Sequence, residues 1–253
     1  MPPIPVPASF WRGGTSRGLL LRASVLAPFP PQARTRLILQ ALGSPDPDGR
    51  QIDGLGGGVS SLSKVAVVGV PGEGLEAQGA QGRLPGVSWA DDGRRDGVGE
   101  WDIVYRFGQV SVREPVIDWT ASCGNLLAAV ALAAVSGKEP LLAYSTLFMR
   151  AKRLPQPPFG HPLMLPINIL SASNGVLMRA RVPLDPLTLQ VWEPAEGEGV
   201  ALAGVPGEAA GIEVQMPLEG GEGVGIVTGR AEDMVEVDGH EVSAPEVWST
   251  PPE

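Results

Sequence analysis

Short apolar segments alternate along this chain with breaks rich in glycine and proline, and one segment stands apart. Leu126–Val135 is ten consecutive small or aliphatic residues, LLAAVALAAV. Alanine and leucine are the strongest helix formers, and a helix apolar on every side has no face to give to solvent. The pattern predicts a buried core helix opening at Gly124–Asn125. A second helical period runs through Pro30–Leu42, where Leu37, Ile38, Ala41 and Leu42 share a face, Arg34 and Arg36 lie between them, and Gly43 and Pro45 close it. Leu141–Leu154 is expected to be a further helix, with Arg150, Lys152 and Arg153 suited to its C-terminus. Strands are predicted around Phe10–Trp11, Leu19–Leu21, Val65–Val68, Asp102–Val112 and Gly211–Met216. Leu165–Leu170 and Val176–Val182 flank Asn174–Gly175, a two-residue hairpin signal. Pro71–Gly99, rich in Gly, Asp and Arg, reads as an exposed, mobile loop.

Composition narrows the function classes. A net charge of −9 argues against nucleic acid, whose phosphates need clustered Lys and Arg. No run approaches the roughly 18 apolar residues that span a bilayer. The start, MPPIPVPASFW, has neither the basic residues nor the apolar run of a signal peptide. A single cysteine leaves no internal disulfide to form, so a cytoplasmic protein is expected. One cysteine and two widely separated histidines also argue against a Cys/His zinc site. The 34 glycines and 26 prolines sit between apolar segments, which implies many turns in a folded chain.

Three stretches carry candidate chemistry. Cys123, followed by Gly124 and Asn125, falls at the N-terminal edge of the core helix, where free amides and the positive dipole end favour a thiolate; a space-filling thiol is the alternative. Arg12-Gly13-Gly14-Thr15-Ser16-Arg17-Gly18 reads as a strand, a glycine-rich loop and a second strand, with amides and hydroxyls open to a ligand. Its G-x-S-x-G core also matches a hydrolase nucleophile elbow, but a strand follows, so a serine hydrolase using Ser16 is the lesser alternative. Asp53–Val68 joins Gly57, Gly58, Ser60, Ser61, Ser63 and Lys64 to an apolar strand. It fits neither a dinucleotide fingerprint nor a P-loop. It is a nest of donors for an anion or an ordinary glycine turn. His240, after Asp238-Gly239, reads as structural.

RGGTSRG at residues 12–18, GLGGGVSSLSKVAVV at residues 54–68 and SCGN at residues 122–125, with the alanine-rich helix after it, together resemble the PrpF-like isomerase family. That family includes 2-methylaconitate cis–trans isomerase and 4-oxalomesaconate tautomerase. The resemblance runs from about Phe10 to about Val247 and implies an α/β (α+β) fold of the diaminopimelate-epimerase type: a curled, mostly antiparallel sheet wrapped around a central apolar helix. It implies a 1,3-proton shift in a small unsaturated di- or tricarboxylate, without metal or organic cofactor. By motif, Lys64 and Cys123 match the catalytic lysine and cysteine. Arg12, Gly13, Gly14, Thr15, Ser16, Gly57, Gly58, Ser60, Ser61, Ser63, Gly124 and Asn125 fall in the substrate-binding loops. Family members are longer, so residues 1–220 are expected to be the N-terminal lobe and residues 221–253 the entry to a second one. On that expectation the chain is a truncated gene product, half of a split enzyme pairing with a complementary C-terminal lobe or with itself, or a carboxylate-binding module.

Overall fold

The computed structural model describes residues 5–70, 94–95, 98–99, 101–173, 177–215, 234–237 and 240–243. The chain divides into two compact units, Met1–Gln215 and Met216–Glu253. In the second, β13 (Met234–Val237) and β14 (His240–Ser243) form an antiparallel hairpin.

The first unit is one sheet with helices on both faces. Its strands are β1 (Ser9–Gly13), β2 (Ser16–Arg22), β3 (Lys64–Gly69), β6 (Ile103–Val110), β8 (Leu163–Ser171), β9 (Leu177–Leu184) and β12 (Glu213–Gln215), adjacent in that order, with β7 (Ile117–Asp118) also paired to β6. The joints β2–β3 and β6–β8 are parallel and the others antiparallel, as the mostly antiparallel expectation requires. Two short pairs lie off this sheet: β4 (Arg94–Arg95) with β5 (Val98–Gly99), and β10 (Val200–Leu202) with β11 (Val205–Ala209). The first falls in the stretch read as a mobile loop, of which residues 71–93 lie outside the described residues.

Side-chain alternation explains the layering. In β3, Ala66 and Val68 pack toward α3 (Gly124–Val135), while Val65 and Val67 pack toward α1 (Ala23–Leu26) and α2 (Pro31–Leu42). A strand covered on both faces has no polar side, which is why β3 is buried along its whole length. Burial of α3 matches its composition: from Leu126 to Val135 only Ala128 and Leu132 are even half-buried and the rest are buried. Helix α2 ends as expected, with Gly43 left-handed at φ 73°.

Two elements differ from expectation. The helix foreseen at Leu141–Leu154 is confined to α4, Tyr144–Ala151. Leu141 and Leu142 instead donate their N–H groups to Ala133 and Ala134 at 3.2 and 3.0 Å, satisfying carbonyls at the end of α3 that a helix leaves open. The glycine-rich loop foreseen at residues 12–18 is mostly strand: Arg12 and Gly13 end β1, Ser16 begins β2, and only Gly14-Thr15 turn between them. The foreseen Asn174–Gly175 turn lies outside the described residues, although β8 and β9 pair up to Leu170–Leu177.

Asp102, buried just before β6, accepts from both Arg150 Nη1 (2.6 Å) and Nη2 of α4, and from the Asn168 N–H of β8 at 2.9 Å. The ion pair ties α4 to the sheet. Removing the cation leaves a buried carboxylate with the Asn168 bond, so Arg150→Ala is expected to cost about 2 kcal/mol, read as a shift in the urea midpoint at constant slope.

Candidate active site

The site is organised around the first turn of α3. Cys123 is its N-cap, with extended backbone (φ −141°, ψ 105°), and its Sγ accepts from the Leu126 N–H at 3.5 Å. The β1–β2 hairpin lies directly on this turn. A Cβ on Gly13 would collide with the Asn125 carbonyl oxygen and stand 2.7 Å from the Ala129 nitrogen, so glycine is what permits the approach. Gly14 turns the chain at φ 51° beside the Asn125 side chain, whose Nδ2 donates to Thr15 Oγ1 at 3.2 Å. This docking brings Ser16, buried, to within 3.9 Å of the half-buried Cys123 sulfur.

Lys64 opens β3. Alternation puts it on the face of Ala66 and Val68, toward α3, just as Ser16 shares the face of Leu20. Gly18 lies between them: a Cβ there would press on the Leu126 side chain and stand 3.1 Å from the Lys64 carbonyl oxygen. Lys64 therefore sits at the same end of α3 as Cys123, on the same face of the sheet. Its Nζ donates to Gln109 Oε1 at 2.6 Å and lies 5.1 Å from the centre of the Phe107 ring.

Some of the other residues expected at the site lie on another face or serve the packing of their own loop. Arg12 is exposed and directly opposite Arg17 in the hairpin, a pair that alternation turns to the face away from Ser16 and Cys123. Ser63 is enclosed, its hydroxyl accepting from Gln51 Nε2 at 2.9 Å. Gly58 gives its N–H to Gln51 Oε1 at 3.0 Å, and a Cβ on Gly57 would stand 2.5 Å from Leu62 Cδ1, so both glycines serve the packing of their own loop. Ser60 and Ser61 form the short 3-10 turn before Lys64, and Gly124 is the first helical residue. The G-x-S-x-G match fails as a nucleophile elbow because β2 continues after Ser16 where a helix is required.

Three residues absent from the sequence reading complete the framework. Tyr105 is fully buried, and its hydroxyl donates to the Cys123 carbonyl at 3.5 Å. Burial, then the neighbouring Cys123, push this phenol up from its ordinary range, so it stays a donor. Gln51 bonds both Ser44 and Ser63. Gln109 holds Lys64. A signal for it exists: Ile103, Tyr105 and Phe107 make one apolar face of β6, and Gln109 is the polar residue continuing that face.

Asp118 ends β7. The Thr120 hydroxyl (2.6 Å) and N–H (2.8 Å) hold its carboxyl below the usual range. Asp46 is lowered chiefly by the Gln51 N–H, and Asp185 by the Thr188 N–H. A carboxyl depressed by folding contributes stability above its unfolded value of 3.8, and that contribution is lost as pH falls through the folded value. Asp118→Asn is therefore expected to flatten the fall in stability below about pH 4, measured as denaturant midpoints along a pH series.

Among the described residues, no group of three or more His, Cys, Asp or Glu is placed to hold a metal ion, and no helix is long and apolar enough to cross a membrane. A depression of ≈ 450 Å³ is lined by Gly49, Gly58, Ser111, Val112, Arg113 and Glu114. It contains neither Cys123 nor Lys64, so the site is defined by its donors and titratable groups.

The site thus joins a curled sheet to an apolar helix whose N-cap is a thiol. The crystal structure of a methylitaconate-delta-isomerase superposes on 94% of this chain and 49% of its own length, with TM-score 0.59 and 23% sequence identity, which establishes the fold. Residues 3–73 and 94–250 match the family model described as PrpF protein, and the chain belongs to that family. A 2-methyl-aconitate isomerase of Shewanella oneidensis is 32% identical over 244 residues, covering 94% of this chain and 51% of the relative. A 4-oxalomesaconate tautomerase of Pseudomonas putida is 31% identical over 233 residues, covering 91% and 50%. The chain thus spans about half the length of these relatives.

Proposed function

We propose that this chain carries the catalytic face of an isomerase that moves a proton across a carbon–carbon double bond in a small unsaturated di- or tricarboxylate. The observation that carries the reading is the placement of Cys123 and Lys64 at one end of α3 on one sheet face. The relatives named 2-methyl-aconitate isomerase and 4-oxalomesaconate tautomerase supply the substrate class.

In the reaction, one group takes a proton from the allylic carbon. The released electron pair forms the new double bond, and the old one shifts charge onto the conjugated carboxylate as a dienolate. A second group then delivers a proton to the far carbon, so the substrate gains and loses one proton and nothing else. Lys64 and Cys123 are these two groups, and their order reverses with the direction of reaction. The Asn125 amide, the Thr15 and Ser16 hydroxyls and the amides of the α3 first turn are the donors for the carboxylates and the dienolate. Nothing in this scheme calls for a cofactor. The lone thiol suits the reducing cytoplasm.

Because the chain spans half of its relatives, we further propose that residues 1–220 act as one lobe, that residues 221–253 lead into a second, and that the other wall of the cleft comes from a complementary lobe. With that wall absent, water reaches the reacting groups and weakens dienolate stabilisation. The test incubates the 253-residue chain with aconitate- and itaconate-type acids in D2O, follows deuterium incorporation by NMR, and measures solution mass alongside. Cys123-dependent incorporation supports the reading. Thermal stabilisation by these acids with no incorporation, even after addition of a C-terminal lobe from a relative, would leave only a binding module.

A further inference from the structure

Gln109 occupies a position that the scheme above does not use. It stands directly across from Lys64 in the β3–β6 pairing and makes three hydrogen bonds. Its Nε2 donates to the Ser63 carbonyl at 2.8 Å and to the Ser60 carbonyl at 3.1 Å, and its Oε1 accepts from Lys64 Nζ at 2.6 Å. A side-chain amide has two N–H donors. Both are committed to carbonyls, so only one orientation works: the flipped amide would set its oxygen against two carbonyl oxygens and its N–H groups against the lysine. Two backbone anchors therefore aim one acceptor at the amine.

From this geometry we infer that Gln109 is the positioning residue for Lys64, holding Nζ at one place in both of its protonation states. The inference rests on the proton-transfer reading of Lys64 given above. The neutrality of the partner is what matters. A carboxylate in this place would hold the ammonium but oppose loss of its proton. An amide oxygen accepts an N–H from ammonium and from free amine alike, so the amine keeps its position as the proton leaves and returns. Phe107 flanks the same nitrogen and adds only a weak attraction for the charged form. The same amide joins Lys64 to the Ser60–Ser63 turn, so the lysine and that turn move as one piece.

The test can be read without substrate, because the chain has only three lysines and the other two, Lys138 and Lys152, are exposed and serve as internal references. With lysine labelled at Cε and Nζ, NMR of the full chain follows each amine through a pH titration. Gln109→Glu is expected to raise the titration midpoint of the Lys64 signal by about one unit or more, leaving the other two unmoved. The parent chain is expected to show a protected Nζ–H correlation for Lys64, and Gln109→Met is expected to remove it. An unchanged Lys64 midpoint in Gln109→Glu, or a persisting correlation in Gln109→Met, overturns the inference; should Gln109→Glu not fold, the Met variant decides. Where proton exchange on substrate is measurable, Gln109→Met should lower kcat roughly 10- to 100-fold, and Gln109→Glu should move the pH profile of kcat upward. If no unsaturated acid exchanges while the NMR changes occur, the catalytic reading of Lys64 falls and the positioning of its amine by Gln109 stands.

Discussion

Cys123→Ser is expected to fold like the parent chain and to lose proton exchange by about a hundredfold or more, the lower end of what a positioned acid–base group contributes. Serine is among the best N-cap residues, so its hydroxyl takes over the Leu126 N–H that Sγ now accepts. A hydroxyl does not give and take protons readily near neutral pH, so the two properties separate in one substitution. Cys123→Ala makes the complementary comparison. It loses the cap, worth about 1 kcal/mol, and should be no less impaired in exchange than the serine variant. Lys64→Met removes the second group, whose nitrogen lies over the Phe107 ring, while keeping a stem of similar length, and a loss of similar size is expected. If the two groups serve one proton shift, the double variant should be little worse than the poorer single one. A merely structural cysteine predicts the same difference in stability between alanine and serine, but parental exchange in both. Deuterium incorporation and denaturant midpoints on the parent chain and these four variants distinguish the cases.

The parts of this fold written in local composition were legible before any coordinates. Leu126–Val135 announces a buried helix because no residue in it could face water, and the run Val65–Val68 within β3 does the same for a central strand. Cys123 was legible for the same reason, since a residue next to the start of such a helix has few other places to be. Partners brought together by pairing were not. Lys64 and Gln109 are 45 residues apart and meet only because β3 and β6 are neighbours in a particular register. Arg12 illustrates the same limit: the family resemblance implied a substrate-binding role, while strand alternation turns the residue to the other face. Leu141 and Leu142 were apolar enough for a helix, but the open carbonyls of α3 were a competing demand invisible to local pattern.

The glycines make this distinction testable. Read from the sequence, Gly13 leaves room for a ligand; in the structure it leaves room for α3. A methyl group there meets the Asn125 carbonyl and the Ala129 nitrogen, both backbone atoms of the buried helix, which cannot swing aside as a side chain would. Gly13→Ala must therefore lift the β1–β2 hairpin off α3. Overpacking of this kind costs about 3 kcal/mol, roughly 10 °C in Tm for a chain of this size. Gly160→Ala is the comparison for backbone strain alone, since nothing lies within 4 Å of its Cβ position and φ is 84°; it should cost only about 1 kcal/mol. The two should also differ in chemistry. Lifting the hairpin takes Ser16 away from Cys123 and Thr15 away from Asn125, so Gly13→Ala should lose proton exchange even at temperatures where it remains folded, and Gly160→Ala should not. A Gly13→Ala protein with parental Tm would mean that the hairpin does not rest on α3, and the docking that assembles the site would have to be redrawn.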